Sequence, residues 1–353
     1  MSWLALMNAR LSGIRQQNLA LGYSGEKGSL VVELELCASR KSPYLAFEYQ
    51  SESSDENTLV LRIDPYGTCQ LEIGSAHQES TVAAKSGTSF STRQLRITYS
   101  WCAEDNSGLF TVENLMDGWL SQTEICNPVT ISADIISDMS ANPEGCRLDK
   151  DIHFLGFSDA LEPVGLPASI AAGARIATSN GFQTIETLRV GDLVQTRDSG
   201  LKPIRWMVER CVPAVGSFRP IELRAPFFGL EADLLVAPDQ RLLIEGTSVE
   251  YLFGEEEMLV EARHLLDDRA ARKSNRTGAV TYYHILLDDH EVICASGAEL
   301  ESLYIGDICD SPALVKSTIL ADCSLDHLPR HEKLARPLIR AYEAPTLRLA
   351  LNS

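Results

Sequence analysis

The sequence lacks the features that would place it in a membrane or tie it to a metal. It has no run of about 18 apolar residues, the length that a membrane-spanning helix needs. Its nine cysteines include no C-x-x-C pair, which argues against zinc and redox motifs, and their odd number argues against a complete disulfide framework. The apolar N-terminal patch has no basic segment before it, so no secretory signal peptide is expected. The compartment stays open between the cytoplasm and export by a signal-free route.

Basic residues are also scarce. Lysine and arginine number 31 against 49 aspartates and glutamates, which gives a formal net charge of -18. A chain of this charge repels phosphate backbones and anionic headgroups, so neither a nucleic acid nor a membrane surface is an expected partner. The one basic cluster, residues 269–276, is expected to be a solvated loop.

Length and composition predict a folded protein of two domains. Hydrophobic residues make up 44% and charged residues 23%, as in soluble globular proteins, and 353 residues exceed one ordinary core. Two prolines and a glycine between Leu161 and Pro167 interrupt regular structure. We therefore expect a first domain at residues 1–162, a linker at 163–168 and a second domain at 169–353.

Alternating apolar and polar residues predict a β-sandwich in the first domain. The expected strands lie at residues 29–37, 44–49, 59–63, 70–73, 95–101, 109–112 and 153–158. Helical periodicity is almost absent, and the segment around Gly118 is expected to be strand-turn-strand. The pattern resembles the concanavalin A-like or jelly-roll sandwiches that precede certain bacterial modules, which implies a glycan or a protein as a candidate partner.

Two tryptophans bear on that partner. Trp101 and Trp119 are both expected in the core, because large aromatic side chains are mostly buried. The alternative is an exposed Trp119 that stacks on a sugar.

The second domain opens with a series of short strand and turn motifs. The informative residues are Gly173, Ile176-Ala177-Thr178, Gly181, Gly191-Asp192-Leu193-Val194, Ile204-Arg205-Trp206, and then 234–243, 259–265, 283–287 and 290–293. In this order they resemble a hedgehog/intein (Hint) domain of a bacterial subfamily. The resemblance implies a C-terminal all-β horseshoe fold, so the whole chain is predicted to be mostly β. Short helices are expected near 261–269 and 328–338.

The resemblance also implies chemistry. In that family a Cys, Ser or Thr side chain attacks the preceding carbonyl, and a histidine protonates the departing amide nitrogen. Ser169 aligns with the nucleophile, four residues before Gly173, although a shorter spacing would place Ala171 there. Gln240 aligns with the histidine. Glutamine cannot supply a proton but retains the ability to hydrogen-bond an oxyanion.

Two histidines follow in the last motifs. His284 and His290 are either remnants of a proton-transfer group or side chains that brace a strand and the adjoining turn, and bracing is the favoured interpretation. Together with Asp288 and Asp289 they suggest a metal site, but strand geometry sends neighbouring side chains to opposite faces. Neither a metal nor another cofactor is expected.

Three functional hypotheses follow. In the first, self-cleavage is weak or lost and the Hint fold survives as a scaffold. In the second, the chain is an active self-protease that uses Ser169, with Gln240 as oxyanion support. In the third, the sandwich binds a glycan or a protein and the Hint half is structural. The tail at 335–343 resembles the end of the subfamily, so we expect an active version to cleave rather than to splice.

Overall fold

The computed structural model describes residues 3–8, 11–15, 23–36, 43–51, 57–75, 78–87, 93–141, 145–166 and 169–351. The chain divides into two compact units, Met1–Gly165 and Leu166–Ser353. Each unit consists mainly of antiparallel strands, which confirms the predicted mostly β fold. None of the helices in the described ranges is both long and apolar enough to cross a bilayer.

The N-terminal unit is a β-sandwich. Its elements are β1 (Trp3–Asn8), β2 (Leu11–Arg15), β3 (Lys27–Leu36), β4 (Tyr44–Gln50), β5 (Thr58–Ile63), β6 (Thr68–Ser75), β7 (Gln78–Lys85), β8 (Arg93–Cys102), β9 (Ser107–Asn114), β10 (Trp119–Cys126), α1 (Ala133–Ala141), β11 (Cys146–Leu148) and β12 (Ile152–Ser158). One sheet has the order β10-β9-β8-β3-β12-β1-β2, and the other has the order β11-β4-β5-β6-β7.

Sequence alternation explains the layers of the sandwich. On β3, Leu30, Val32 and Leu34 point into the shared core, because successive strand residues face opposite sides. The predicted hairpins β5–β6 and β8–β9 are confirmed, as is the strand-turn-strand around Gly118, which joins β9 to β10.

Two features of this unit differ from expectation. Helix α1 lies where helical periodicity is weak, and it packs through Ile136 and Met139. Trp101 is buried as predicted, and its indole N–H donates to the Gly25 carbonyl at 2.9 Å. Trp119 is not in the core, because it begins an edge strand immediately after a turn and lies half exposed.

The residues on both sides of the predicted start of the linker, Glu162 and Gly165, pack on the sandwich. The Glu162 carboxylate accepts a hydrogen bond from the Ser158 hydroxyl at 2.7 Å, and the Glu162 backbone N–H donates to the Ser29 hydroxyl at 2.8 Å. The Gly165 N–H donates to Glu113 at 2.8 Å. The segment up to Gly165 is therefore part of the N-terminal unit.

The C-terminal unit contains fourteen strands among its described residues. They are β13 (Ile170–Ala171), β14 (Arg175–Thr178), β15 (Gly181–Thr184), β16 (Leu193–Thr196), β17 (Gly200–Pro203), β18 (Trp206–Pro213), β19 (Ile221–Leu223), β20 (Leu234–Val236), β21 (Arg241–Glu245), β22 (Glu257–Glu261), β23 (Ala271–Lys273), β24 (Ala279–Leu286), β25 (Val292–Ala295) and β26 (Ala298–Glu301). One sheet has the order β18-β24-β13-β20-β19-β23, and the other has the order β15-β14-β16-β25-β26-β21-β22, with β17 paired to β16.

Helix is minor in this unit. The α-helices are α2 (Thr247–Phe253), α3 (Pro312–Lys316) and α4 (Ala344–Leu351), and the 3-10 turns are Ile185–Thr187, Gly216–Phe218, Phe227–Gly229, Ala262–Leu265, Gly306–Asp310 and Leu325–His327. The helix expected near 261–269 is thus only a 3-10 turn.

The prediction of a helix at 328–338 is wrong. Pro329 and Pro337 have no N–H to donate within a helix. The segment is instead irregular and ends in a β-bridge between Leu338 and Leu259. Leu259 donates its N–H to the Pro337 carbonyl, and Ile339 donates to the Leu259 carbonyl, each at 2.8 Å. The tail therefore lies against β22.

Candidate functional site

Ser169 lies immediately before the short central strand β13. Ile170 pairs with Val236 of β20 on one side and with Tyr283 of β24 on the other. The Ser169 carbonyl accepts the Ala237 N–H at 2.9 Å. Ser169 itself is 3% exposed. The predicted nucleophile is therefore held in the middle of a sheet and is not part of a solvated linker, whereas Ala168 lies outside the described residues.

The sheet register brings Ser169 and His284 together. Ala171 pairs with Tyr282 in the antiparallel pair of β13 with β24, and continuing that register places Ser169 opposite His284. Residues directly opposite each other carry their side chains on the same face. His284 is buried and pairs on its other side with Val208 of β18. Ala171, the alternative first position, has neither a hydroxyl nor a thiol to react.

Gln240 follows β20 in a tight turn, where its N–H donates to the Ala237 carbonyl at 3.1 Å. The side chain is buried. Its amide nitrogen donates to the carbonyl of Arg241 at 3.2 Å and to the carbonyl of Glu301 at 3.1 Å. A primary amide has two hydrogens, so both are engaged with backbone oxygens.

His290 is fixed through both ring nitrogens. Nδ1 accepts the Ala335 backbone N–H at 2.9 Å, so the ring proton lies on Nε2, which donates to the Glu301 carboxylate at 3.0 Å. The ring lies 5.0 Å from Tyr304 and 6.1 Å from His331 between centroids. His290 therefore joins the tail at Ala335 to Glu301 of β26.

Glu301 is a residue that sequence reasoning missed. Besides His290, its buried carboxylate accepts the Arg241 backbone N–H at 3.2 Å and the Arg241 guanidinium at 3.1 Å. It shares a strand face with Glu299, which is partly exposed. Two glutamates in alternate positions look the same in the sequence, so no local signal distinguishes the buried one.

A second charged cluster lies beside Gln240. Arg263 forms an ion pair with the buried Asp239 and donates to Glu261 at 2.7 Å. Burial alone would raise the pKa of Glu261, but the hydrogen bond from His264 and the charge of Arg263 outweigh it and lower the pKa to about 2. The turn that carries Gln240 is therefore held by the ion pair of Asp239 with Arg263.

Two of the four residues weighed as a metal site bind other side chains. Asp288 binds Arg205 through two hydrogen bonds of 2.7 Å, and His290 binds Glu301. In the part of the chain that the structure describes, no group of three or more His, Cys, Asp or Glu side chains is arranged to hold a metal ion.

Part of the C-terminal unit matches a known family. Residues 168–307 match the model of the family described as "Hint domain". No curated protein sequence matches the chain.

Three solved structures have partial likeness to the chain. The bacterial intein-like domain from Clostridium thermocellum is 17% identical, with 38% of this chain and 98% of that chain covered and a TM-score of 0.27. The Ruminococcus gnavus IT-sialidase CBM40 bound to alpha2,6 sialyllactose is 9% identical, with 38% and 77% covered and a TM-score of 0.27. The LG1-3 region of the laminin alpha2 chain is 12% identical, with 86% and 56% covered and a TM-score of 0.25. All three TM-scores are below 0.5, so these likenesses carry no argument about fold or function.

Proposed function

Because this chain carries a Hint domain at residues 168–307, we propose that the domain is retained as a folded scaffold whose self-cleavage is weak or lost. The observation that carries the proposal is the engagement of Gln240, which the resemblance to the family aligns with the general acid. Both of its amide hydrogens are donated to backbone carbonyls, those of Arg241 and Glu301.

The lack of a proton donor at position 240 accounts for the proposed loss of self-cleavage. In an N-to-O acyl shift the Ser169 hydroxyl forms a bond to the carbonyl carbon of Ala168, and the bond from that carbon to the Ser169 nitrogen breaks. The departing nitrogen must receive a proton, and a positioned acid typically contributes about 10² to 10⁴ in rate. Glutamine has no proton to give, and a serine hydroxyl ionises far less readily than a thiol.

The amide of Gln240 is also poorly placed to replace the acid by electrostatic means. An oxyanion would need a free donor within hydrogen-bond reach. To provide one, Gln240 would first have to release a buried carbonyl, and an unsatisfied buried group costs about 1–3 kcal/mol. Oxyanion support from Gln240, part of the self-protease hypothesis, is therefore disfavoured.

His290 cannot replace the acid, because both ring nitrogens are engaged with Ala335 and Glu301. His284 is the remaining histidine of the site, on the same sheet face as Ser169. It is the group that would carry any residual activity, as a base that accepts the hydroxyl proton of Ser169.

Restoring a thiol nucleophile and a histidine to the site tests the proposal. The full chain and its Ser169→Cys, Gln240→His and doubly substituted forms would be incubated at neutral pH with hydroxylamine or a strong thiol, and their intact masses followed for days. We expect the native chain to stay whole and the double variant to break before residue 169. The matched control, Ser169→Ala with Gln240→His, should stay whole.

Two results would contradict the proposal. Rapid cleavage of the native chain before Ser169 would show an active self-protease. A double variant that is folded by circular dichroism yet inert would show that the loss lies elsewhere than at these two positions.

A further inference from the structure

Two exposed aromatic side chains flank one end of the N-terminal sandwich. Tyr66, in the turn between β5 and β6, is 85% exposed, and Trp119, at the start of β10, is 50% exposed. Both adjoin the residues that follow β7: Ser86 donates its N–H to the Gly67 carbonyl at 2.8 Å, and the Trp119 ring contacts Gly87. We call Tyr66, Trp119 and the intervening Ser86 and Gly87 the aromatic rim.

The indole of Trp119 is held with one face covered. A Cβ added at Gly87 would lie 3.1, 3.3 and 3.5 Å from three adjoining ring atoms, so the glycine backbone lies against the ring face. The indole N–H donates to the Lys85 carbonyl at 3.4 Å, and the Trp119 backbone N–H donates to Asp117 at 3.0 Å. One face of the ring therefore lies on Gly87, while half of the Trp119 surface remains exposed.

The turn that carries Tyr66 is also fixed, by hydrogen bonds that do not involve the phenol ring. The Asp64 carboxylate accepts the backbone N–H groups of Tyr66 and Thr68, each at 2.8 Å. Burial opposes ionisation of Asp64, but the hydrogen bonds from Thr68 and the turn outweigh it and lower its pKa. The turn thus carries a permanent negative charge and leaves the phenol ring to solvent.

We propose that the aromatic rim is a binding site for a neutral oligosaccharide, with a pyranose ring stacked on the open face of Trp119. The fixed Trp119 side chain provides a large contact area at little cost in conformational entropy, and Tyr66 adds a second exposed ring. The exposed Lys85 and Asp117 beside the indole offer hydrogen-bond partners for sugar hydroxyls.

Charge selects the class of sugar. The carboxylates of Asp64 and Asp117 accept the backbone N–H groups of Tyr66 and Trp119 and outnumber the one Lys85 cation named beside the indole, and the whole chain has a net charge of -18. Anionic sugars such as uronates would be repelled, whereas neutral hexoses and pentoses would not. Two rings on either side of Ser86 and Gly87 favour a chain of several sugar units over a monosaccharide.

The test uses the full chain on a panel of immobilised neutral glycans (glucan, mannan, galactan and xylan) with alginate as the anionic probe, followed by calorimetry with the oligosaccharide of the best hit. Trp119→Ala should weaken binding about tenfold or more, because aromatic anchors dominate such contacts. Trp119→Tyr should retain part of the affinity, and Tyr66→Ala should weaken binding less. Tyr251→Ala is the matched control, because this tyrosine is 89% exposed in the other unit.

The outcomes are decisive in either direction. Binding to a neutral glycan that Trp119→Ala abolishes and Tyr251→Ala leaves unchanged would support the rim. Three results would overturn it: no binding to any neutral glycan at millimolar sugar, neutral binding that survives Trp119→Ala in a variant with an unchanged melting temperature, or preferential binding to alginate. Self-association that depends on Trp119, seen by size-exclusion chromatography, would make the rim a protein contact instead.

Discussion

The imidazole Nε2 of His290 lies 3.0 Å from the carboxylate Oε2 of Glu301. The backbone carbonyl of the same glutamate accepts a hydrogen from the Gln240 amide at 3.1 Å. Two residues that the sequence assigned to catalysis are therefore connected through a third residue that it did not single out. Since neither Gln240 nor His290 has a donor left for substrate, we infer that this connection now serves stability.

Removing the Glu301 carboxylate should strongly destabilise the C-terminal unit. Glu301→Ala leaves Arg241 and His290 without their buried partner, and breaking a buried pair in this way costs about 3–5 kcal/mol. Urea denaturation would measure the free energy of unfolding. The matched control is Glu299→Ala on the same strand, where a partly exposed ion pair with Arg197 should contribute about 1 kcal/mol or less. Equal losses in the two variants would contradict the role given to Glu301.

Local patterns predicted the parts of the fold whose interactions are local. The β5–β6 hairpin follows from alternation on either side of a Pro-Tyr-Gly turn, and the two strands are paired in the structure. The proximity of Ser169 and His284 was not readable from spacing, because the two residues meet only through β13 and β24. The resemblance to a Hint domain named Ser169, His284 and His290 as candidates without pairing them.

Long-range packing decided the remaining features. Ala335 caps the His290 ring from 45 residues away along the chain, and nothing near either residue indicates the contact. The same holds for Trp119, whose exposure depends on where an edge strand begins and not on the residues beside it. A helical pattern at 328–338 was outweighed by two prolines and by pairing of the tail with β22.

His331 should make stability depend on pH below neutrality. Burial lowers the pKa of this imidazole from its ordinary value of 6.5, and nearby His290 lowers it further. The unfolded chain then binds the proton more readily than the folded chain. The contribution of neutral His331 to the free energy of unfolding is therefore fully present above about pH 6.5 and is lost as the pH drops below it. The free energy of unfolding measured at pH 7.5 and 5.5 should fall in the native chain and fall less in His331→Gln. Identical pH slopes would show that His331 does not contribute.

Gly87 should resist substitution more than Gly118 does. Both have positive φ, +84° and +72°, so alanine strains the backbone at either position, at about 1–3 kcal/mol. A Cβ at Gly118 meets nothing within 4 Å, whereas one at Gly87 would press on the Trp119 ring. Gly87→Ala should therefore lower the melting temperature further and shift the tryptophan emission, while Gly118→Ala leaves the emission unchanged. The same emission in both variants would mean that the ring is not seated on Gly87.

The tail beyond the matched Hint segment should prove necessary for folding of the C-terminal unit. The family match ends at residue 307, yet Ile339, Ala344 and Leu347 are buried in the same core as β13 and β24. Leu347→Ala should cost about 2–5 kcal/mol, as expected for a cavity in a packed core. Leu325→Ala is the control, because this side chain is 43% exposed and its loss should change stability by about 0.5 kcal/mol or less. If both variants unfold at the same urea concentration, the tail only rests on the domain; if Leu347→Ala alone is destabilised, the folding unit extends through α4 and truncation at residue 307 would remove part of its core.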